Sequence, residues 1–141
     1  MTTIQHDLVL ATTPQALFAA LTTPEGIRGW WAKDSDVGDG VGASHELRFV
    51  KDDRTVAMGF EVTEASPNRV VWRCTENGNP IWPGTTLTWA FEADGEKTAL
   101  TFKHEGFAES ASPPYAMTVD GWKHFMASLA AYAQTGTGEP W

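Results

Sequence analysis

The order of elements in this chain predicts an α+β fold, a mostly antiparallel sheet wrapped on a long C-terminal helix. Three observations lead there. Strand-like alternation runs through the middle of the chain from His45 to Glu105, large apolar residues recur at helical spacing over 116–134, and two short helical segments follow the first strand. Strands and helices that are segregated along a chain, rather than alternating, mark this class.

Thr3 to Leu10 reads as the first strand, rich in β-branched and long apolar residues. Thr13 is a suitable N-cap, Pro14 suits a first helical turn, and Leu17, Phe18 and Leu21 recur at helical spacing. A second short helix starts near Thr23 and Pro24 and carries Ile27, Trp30 and Trp31 at its end. Asp34 to Ala43, with Asp34, Asp36, Asp39 and three glycines, reads as a loop. Strands are then expected at His45–Val50, Thr55–Glu64, Arg69–Glu76, Thr85–Glu92 and Lys97–Glu105. Pro67-Asn68 and Asp94-Gly95 mark turns, and Asn77–Gly84, with Pro80 and Pro83, a longer loop. Ser112-Pro113-Pro114 interrupts regular structure ahead of the last helix, whose stripe is Val119, Trp122, Phe125, Met126, Leu129 and Tyr132. At about 1.5 Å per residue that helix can cross one face of a sheet. A Gly-rich tail closes the chain, and nothing divides residues 1–141 into more than one domain.

The bulk numbers narrow the function. A length of 141 residues suits one domain, and 42% hydrophobic with 20% charged residues is ordinary globular composition. A net charge of −8 repels phosphate backbones and anionic surfaces, which speaks against nucleic acid and membrane as partners. No apolar run approaches the ~20 residues of a membrane span, and the N-terminal stretch lacks the form of a signal peptide. The single cysteine, Cys74, suits a reducing compartment, so the cytoplasm is the expected location.

Seven tryptophans carry the functional signal. Trp72 alternates with Val70 and Cys74, Trp89 with Leu87 and Phe91, and Trp122 shares a helical face with Phe125, Met126 and Leu129. Aromatic walls with few polar groups are common in small-molecule sites, although a solid core has the same periodicity. The residues expected to face one another are Phe18, Trp30 or Trp31, Phe49, Met58, Phe60, Trp72, Trp89, Phe102, His104, Trp122, Phe125 and Met126. His104 shares its face with Leu100 and Phe102 and could bond a ligand oxygen, act as acid or base, or simply be a satisfied strand-end histidine. Asp120 and His124, four apart on a helix, read as a solvated pair, and Cys74 as an inert packing residue. His6, His45, His104 and His124 have no zinc-site spacing, and the Asp-rich loop lacks the twelve-residue calcium pattern ending in Glu. That loop reads as a mobile rim. No metal or cofactor is expected, and no phosphate-binding glycine motif follows a strand.

The chain resembles the SRPBCC superfamily, which has the helix-grip fold of the START and Bet v lipid-binding proteins, and within it the family named after the activator of the heat-shock-protein ATPase. The segments that carry this are ATTPQALFAALTTPE (Ala11–Glu25), GWWAKDSDVGDGVG (Gly29–Gly42), VTEASPNRVVW (Val62–Trp72), TALTFKHEGF (Thr98–Phe107), GWKHFMASLAAY (Gly121–Tyr132) and the TGTGEP tail. Each is weak alone; their order and spacing are specific. Phe125 and Met126 depart from the pattern, standing where leucine-like residues are commoner. The resemblance implies a curved sheet of about seven strands and a groove between it and the C-terminal helix. Family members of this kind bind apolar or aromatic molecules there, act on polyketides or serve as co-chaperones; with the one-sided aromatic lining, the resemblance leads to the expectation of binding a small apolar, aromatic or lipid-like molecule without catalysis. The alternatives are a cyclase- or hydrolase-like enzyme using His104, or a module that meets a chaperone ATPase in a stress response. Homodimers are compatible with the family.

Overall fold

Two threonines set the start of the fold in the computed structural model, which describes residues 2–51, 53–77, 81–107 and 113–141. The expected loop positions 78–80 and Ser112 lie outside the described residues. After strand β1 (Thr2–Leu10), the Thr13 hydroxyl accepts from the Ala16 amide at 3.1 Å and starts α1 (Pro14–Thr22). Thr23 ends α1 and starts α2 (Pro24–Trp30), donating its hydroxyl to Ala19 O at 2.7 Å and accepting from the Gly26 amide at 3.0 Å. One residue thus satisfies orphan groups of two helices. Gly26 sits where the helices cross, and a Cβ there would lie 2.6 Å from Ala19 O and Ala20 Cα.

The remaining strands are β2 (Asp34–Val37), β3 (Ser44–Lys51), β4 (Arg54–Ser66), β5 (Arg69–Asn77), β6 (Thr86–Asp94) and β7 (Lys97–Phe107). They form one antiparallel sheet in the order β1-β7-β6-β5-β4-β3-β2. This is the seven-stranded curved sheet expected. The β6–β7 turn is centred on Gly95-Glu96, one residue later than expected, with Asp94 paired to Lys97. Gly95 has φ +64°, which places glycine at the first central position, the pattern of a type II′ hairpin.

The expected loop at Asp34–Ala43 needs correction: its first four residues are β2, paired in register with β3 from Asp34↔Arg48 to Val37↔His45. Asp and Ser are poor strand formers, so the pairing comes from tertiary partners. Arg48 bridges Asp34, Asp36 and Glu46 on the outer face, at 2.9 Å each, while the buried Ser35 hydroxyl donates to Ala32 O. The "mobile rim" is therefore, over these four residues, a pinned edge strand.

Helix α3 (Pro113–Thr135) starts three residues before the expected Ala116, because prolines in a first turn give up amides that have no intrahelical partner anyway. Gly136, at φ +86°, ends it with its amide on Tyr132 O at 2.8 Å. The inward strand residues and the α3 stripe form the core expected from alternation. Leu47, Phe60, Val70, Trp72, Leu87, Trp89, Leu100, Phe102 and Leu129 are each at most 1% exposed.

Candidate functional site

Between sheet and α3 the rings lie on one another. Trp31, the residue that ends α2, is 1% exposed and occupies the middle. Its ring is stacked on Trp30 (5.1 Å between centroids, 23°) and Trp72 (5.5 Å, 14°), and edges Trp89 (6.1 Å, 68°). Phe60, Trp122 and Phe125 complete its surroundings at 5.5, 5.3 and 6.3 Å. The hollow expected between sheet and helix is thus occupied by an indole from the chain itself. Trp30 and Trp31 both face inward, rather than one of them. Trp30 also donates its Nε1–H to Ala20 O at 2.7 Å, anchoring the end of α2 to α1.

The other expected residues belong to the same core. Phe49, Phe60, Trp72, Trp89, Phe102, Trp122 and Met126 are buried; Phe18, Met58 and Phe125 are partly buried against the same core. His104 is fully buried, and both of its ring nitrogens are engaged. Nδ1 accepts from Trp122 Nε1–H at 3.0 Å, which places the proton on Nε2, 2.8 Å from the Thr85 hydroxyl. That hydroxyl donates onward to Trp82 O at 2.6 Å. Burial pushes the imidazole down to about 3, so it stays neutral. Satisfied on both sides, His104 has no free lone pair or proton to offer a substrate without breaking this chain.

Alternation along β3 already put His45 on the inward face with Leu47 and Phe49, yet it was not singled out. It is 4% exposed, 4.4 Å from the Trp72 ring, and accepts from the Gly38 amide through Nδ1 at 2.9 Å; burial holds it down to about 4. Trp82 was missed as well, since it stands in a proline-flanked loop with no periodicity to place it. It stacks on Trp122 (6.0 Å, 9°), edges His104 (4.7 Å, 84°) and donates to the Thr118 hydroxyl at 2.9 Å.

The tail also belongs to the site. Residues 136–141 turn back across the end of α2. Trp141 N donates to Trp31 O at 2.9 Å, Lys33 N donates to Trp141 O at 3.3 Å, and the Trp141 indole donates to Val50 O at 3.0 Å. The buried Ser128 hydroxyl, on α3, donates to Trp30 O at 2.6 Å and accepts from the Glu139 amide at 2.7 Å. The tail is therefore a strap tied to the backbone of the two central tryptophans.

Polar chemistry lies elsewhere. Asp120 meets Lys123 at 3.8 Å rather than His124, whose Nε2 lies 3.0 Å from Glu139 O. Cys74 is buried, which raises its thiol to about 12. A broadly open depression of about 930 Å³ lies on the face of the sheet away from α3, edged by Glu46, Gly59, Arg73, Thr75 and Pro83. Among the described residues no group of acidic, histidine or cysteine side chains could hold a metal, and no helix is long and apolar enough to cross a membrane.

An antiparallel curved sheet gripping a C-terminal helix, with two short helices after the first strand, defines a helix-grip domain. Residues 11–134 match the family described as "Activator of Hsp90 ATPase homolog 1-like protein", and the chain belongs to that family. It is similar in structure to the Aha1 dimer from Colwellia psychrerythraea, at 27% identity and a TM-score of 0.81, over 98% of this chain and 100% of that one. It is also similar to CalU16 from Micromonospora echinospora (15%, TM-score 0.73, 95% and 77% of the two chains). DynU16, from the dynemicin biosynthetic locus, has the same fold (20%, TM-score 0.78), but the match covers 96% of this chain and 48% of that one. At these lower identities the likeness is one of fold. No curated protein sequence matches the chain.

Proposed function

We propose that this protein binds, without transforming, a small hydrophobic molecule between the sheet and α3, and that the molecule takes the place of the Trp31 ring. The observation that carries this is the origin of the central ring. It comes from the end of the seven-residue helix α2, not from the sheet or from α3. Neither α2 nor the tail pairs in the sheet ladder. The walls left behind, Phe60, Trp72, Trp89, Trp122 and Phe125, are aromatic on all sides. The locked state of His104 supports binding over catalysis, since an enzyme needs several polar groups converging on one reacting atom. The single cysteine suits a reducing compartment, and on that ground we place the protein in the cytoplasm, acting as one domain.

Thermal unfolding of the wild-type chain with indole-sized aromatics, flavonoids and fatty acids tests the reading. A ligand at ~100 times its Kd stabilises the native state by about 2.7 kcal/mol, a shift easily seen in melting. If no compound raises the melting temperature at concentrations far above micromolar, the binding reading falls.

A second reading has its own support. The filled interior and the open outer depression both suit a module that works through its surface, and the family description names a chaperone ATPase activator. Stimulation of an Hsp90-type ATPase by the purified chain would favour it. A dimer by light scattering would parallel the Colwellia relative.

A further inference from the structure

Trp89 differs from the interior indoles of Trp30, Trp82 and Trp122, whose N–H groups are all bonded. It is fully buried, and among the described residues its Nε1 is the buried side-chain polar atom without a hydrogen-bond partner. Trp30, Trp82 and Trp122 each donate to a named oxygen or nitrogen at 2.7–3.0 Å. A buried donor left unpaired is a standing cost that folded proteins rarely accept, and it calls for an explanation.

The surroundings supply one. Trp89 meets Trp31 and Trp72 edge-on, at 68° and 70°, and Phe102 at 41°. Edge-on rings offer an N–H at most a weak π acceptor, poorer than an oxygen. A planar molecule in the space of the Trp31 ring would lie against the Trp72 face, as Trp31 does now at 14° and 5.5 Å, and would neighbour Trp89, whose centroid is 6.1 Å from that of Trp31. The charges of the interior set a second condition. The two buried histidines are held neutral by desolvation, and the arginine-centred ion pairs, Arg48 with Asp34, Asp36 and Glu46 and Arg69 with Glu64, lie at the solvent-facing side of the sheet. Among the described residues an anion placed among the rings would find no countercharge, and burying it would be prohibitive.

We infer that the ligand is an uncharged, planar, bicyclic-sized ring system bearing an acceptor oxygen on its rim, a carbonyl or ether, which accepts from Trp89 Nε1–H. The inference rests on the ligand-binding reading above and narrows it, because fatty acids and other carboxylates are excluded from the interior.

Three probes of matched size decide it: 1-indanone, indane and indane-1-carboxylate, titrated into the wild-type chain and into Trp89→Phe. The ketone should bind at least about tenfold more tightly than indane, and the carboxylate should not compete for the interior. On adding the ketone, the Trp89 indole N–H resonance in a ¹H–¹⁵N spectrum should move downfield, and indane should leave it near its free position. Trp89→Phe, whatever it does to the affinity for either compound, should bring ketone and indane to equal affinity. Equal affinities for ketone and hydrocarbon in the wild type would overturn the role of Trp89 and leave the binding reading standing, as would a preference that survives in Trp89→Phe. Binding of none of the three would overturn the binding reading itself. If Trp89→Phe does not fold, the wild-type affinities and the indole resonance decide alone.

Discussion

The two ends of the interior are built differently. Around His104, side chains from β7, α3 and the 81–85 segment pass hydrogen bonds to one another: Trp122 to His104, His104 to Thr85, Thr85 to Trp82 O, Trp82 to Thr118. Around Trp31 there is ring on ring, the donor on Trp89 has no partner, and the hydrogen bonds that fix the central ring run through its backbone to the tail. A network of directional bonds admits one arrangement, and loosening any member strands the others. A stack of rings is held by dispersion and exclusion of water, neither of which dictates which ring fills the space. On the proposed binding reading, the first end is the fixed frame of the domain and the second the part a ligand would exchange.

Trp31→Ala would break this contrast most strongly. Removing a buried Trp costs about 3–5 kcal/mol. Indole added to the variant should recover part of the lost melting temperature, because an apolar cavity of this kind takes up a ring of matching size. Failure of indole to do so would mean the walls collapse and the second end is as fixed as the first.

Acid sharpens the contrast next. His104 and His45 are held near 3 and 4, below the ordinary value of about 6.5, so the unfolded chain binds more protons than the native one as pH falls. Their contribution is fully present above pH ~6.5 and is lost progressively between ~6.5 and the depressed values. Each costs about 1.4 kcal/mol per pH unit once well below ~6.5. Denaturant unfolding between pH 6 and 4.5 should show this slope, and His45→Gln, which can still accept from Gly38 N–H, should remove about half of it.

Ser128→Ala comes third. It removes the hydroxyl that joins Trp30 O to the Glu139 amide and should cost about 1 kcal/mol. Faster hydrogen exchange at the Lys33 amide, whose acceptor is Trp141 O, would report the loosened strap. Smallest is Arg48→Ala. The Asp36 carboxyl, held below its usual range by Arg48, should return toward an ordinary value, while melting changes little and less still at high salt.

Much of the frame was legible in the sequence because period-2 and period-3.6 patterns respond to burial, and burial is what the fold delivers. The strands carrying Trp72, Trp89 and Phe102, the cap at Thr13, the helix start near Thr23 and Pro24, and the stripe of α3 follow directly. β2 was hidden because its residues satisfy a partner strand and Arg48 rather than any propensity of their own. Trp82 and Trp141 were hidden because they stand in irregular segments, where no period assigns a face. The filling of the groove by Trp31 was invisible for a related reason. A wall of a cavity and a wall of a core share one pattern, and the difference lies in where the end of a short helix places a single ring.

On the binding reading, the strap would give that ring a clock. Because Trp141 and Glu139 are tied to the carbonyls and side chain that hold Trp30 and Trp31, the proposed lifting of the central ring would couple to detachment of the tail. A visitor arriving from solution would wait for that event rather than cause it by collision. The observed rate of uptake would then climb with its concentration only to a ceiling, set by how often the chain lets go of itself.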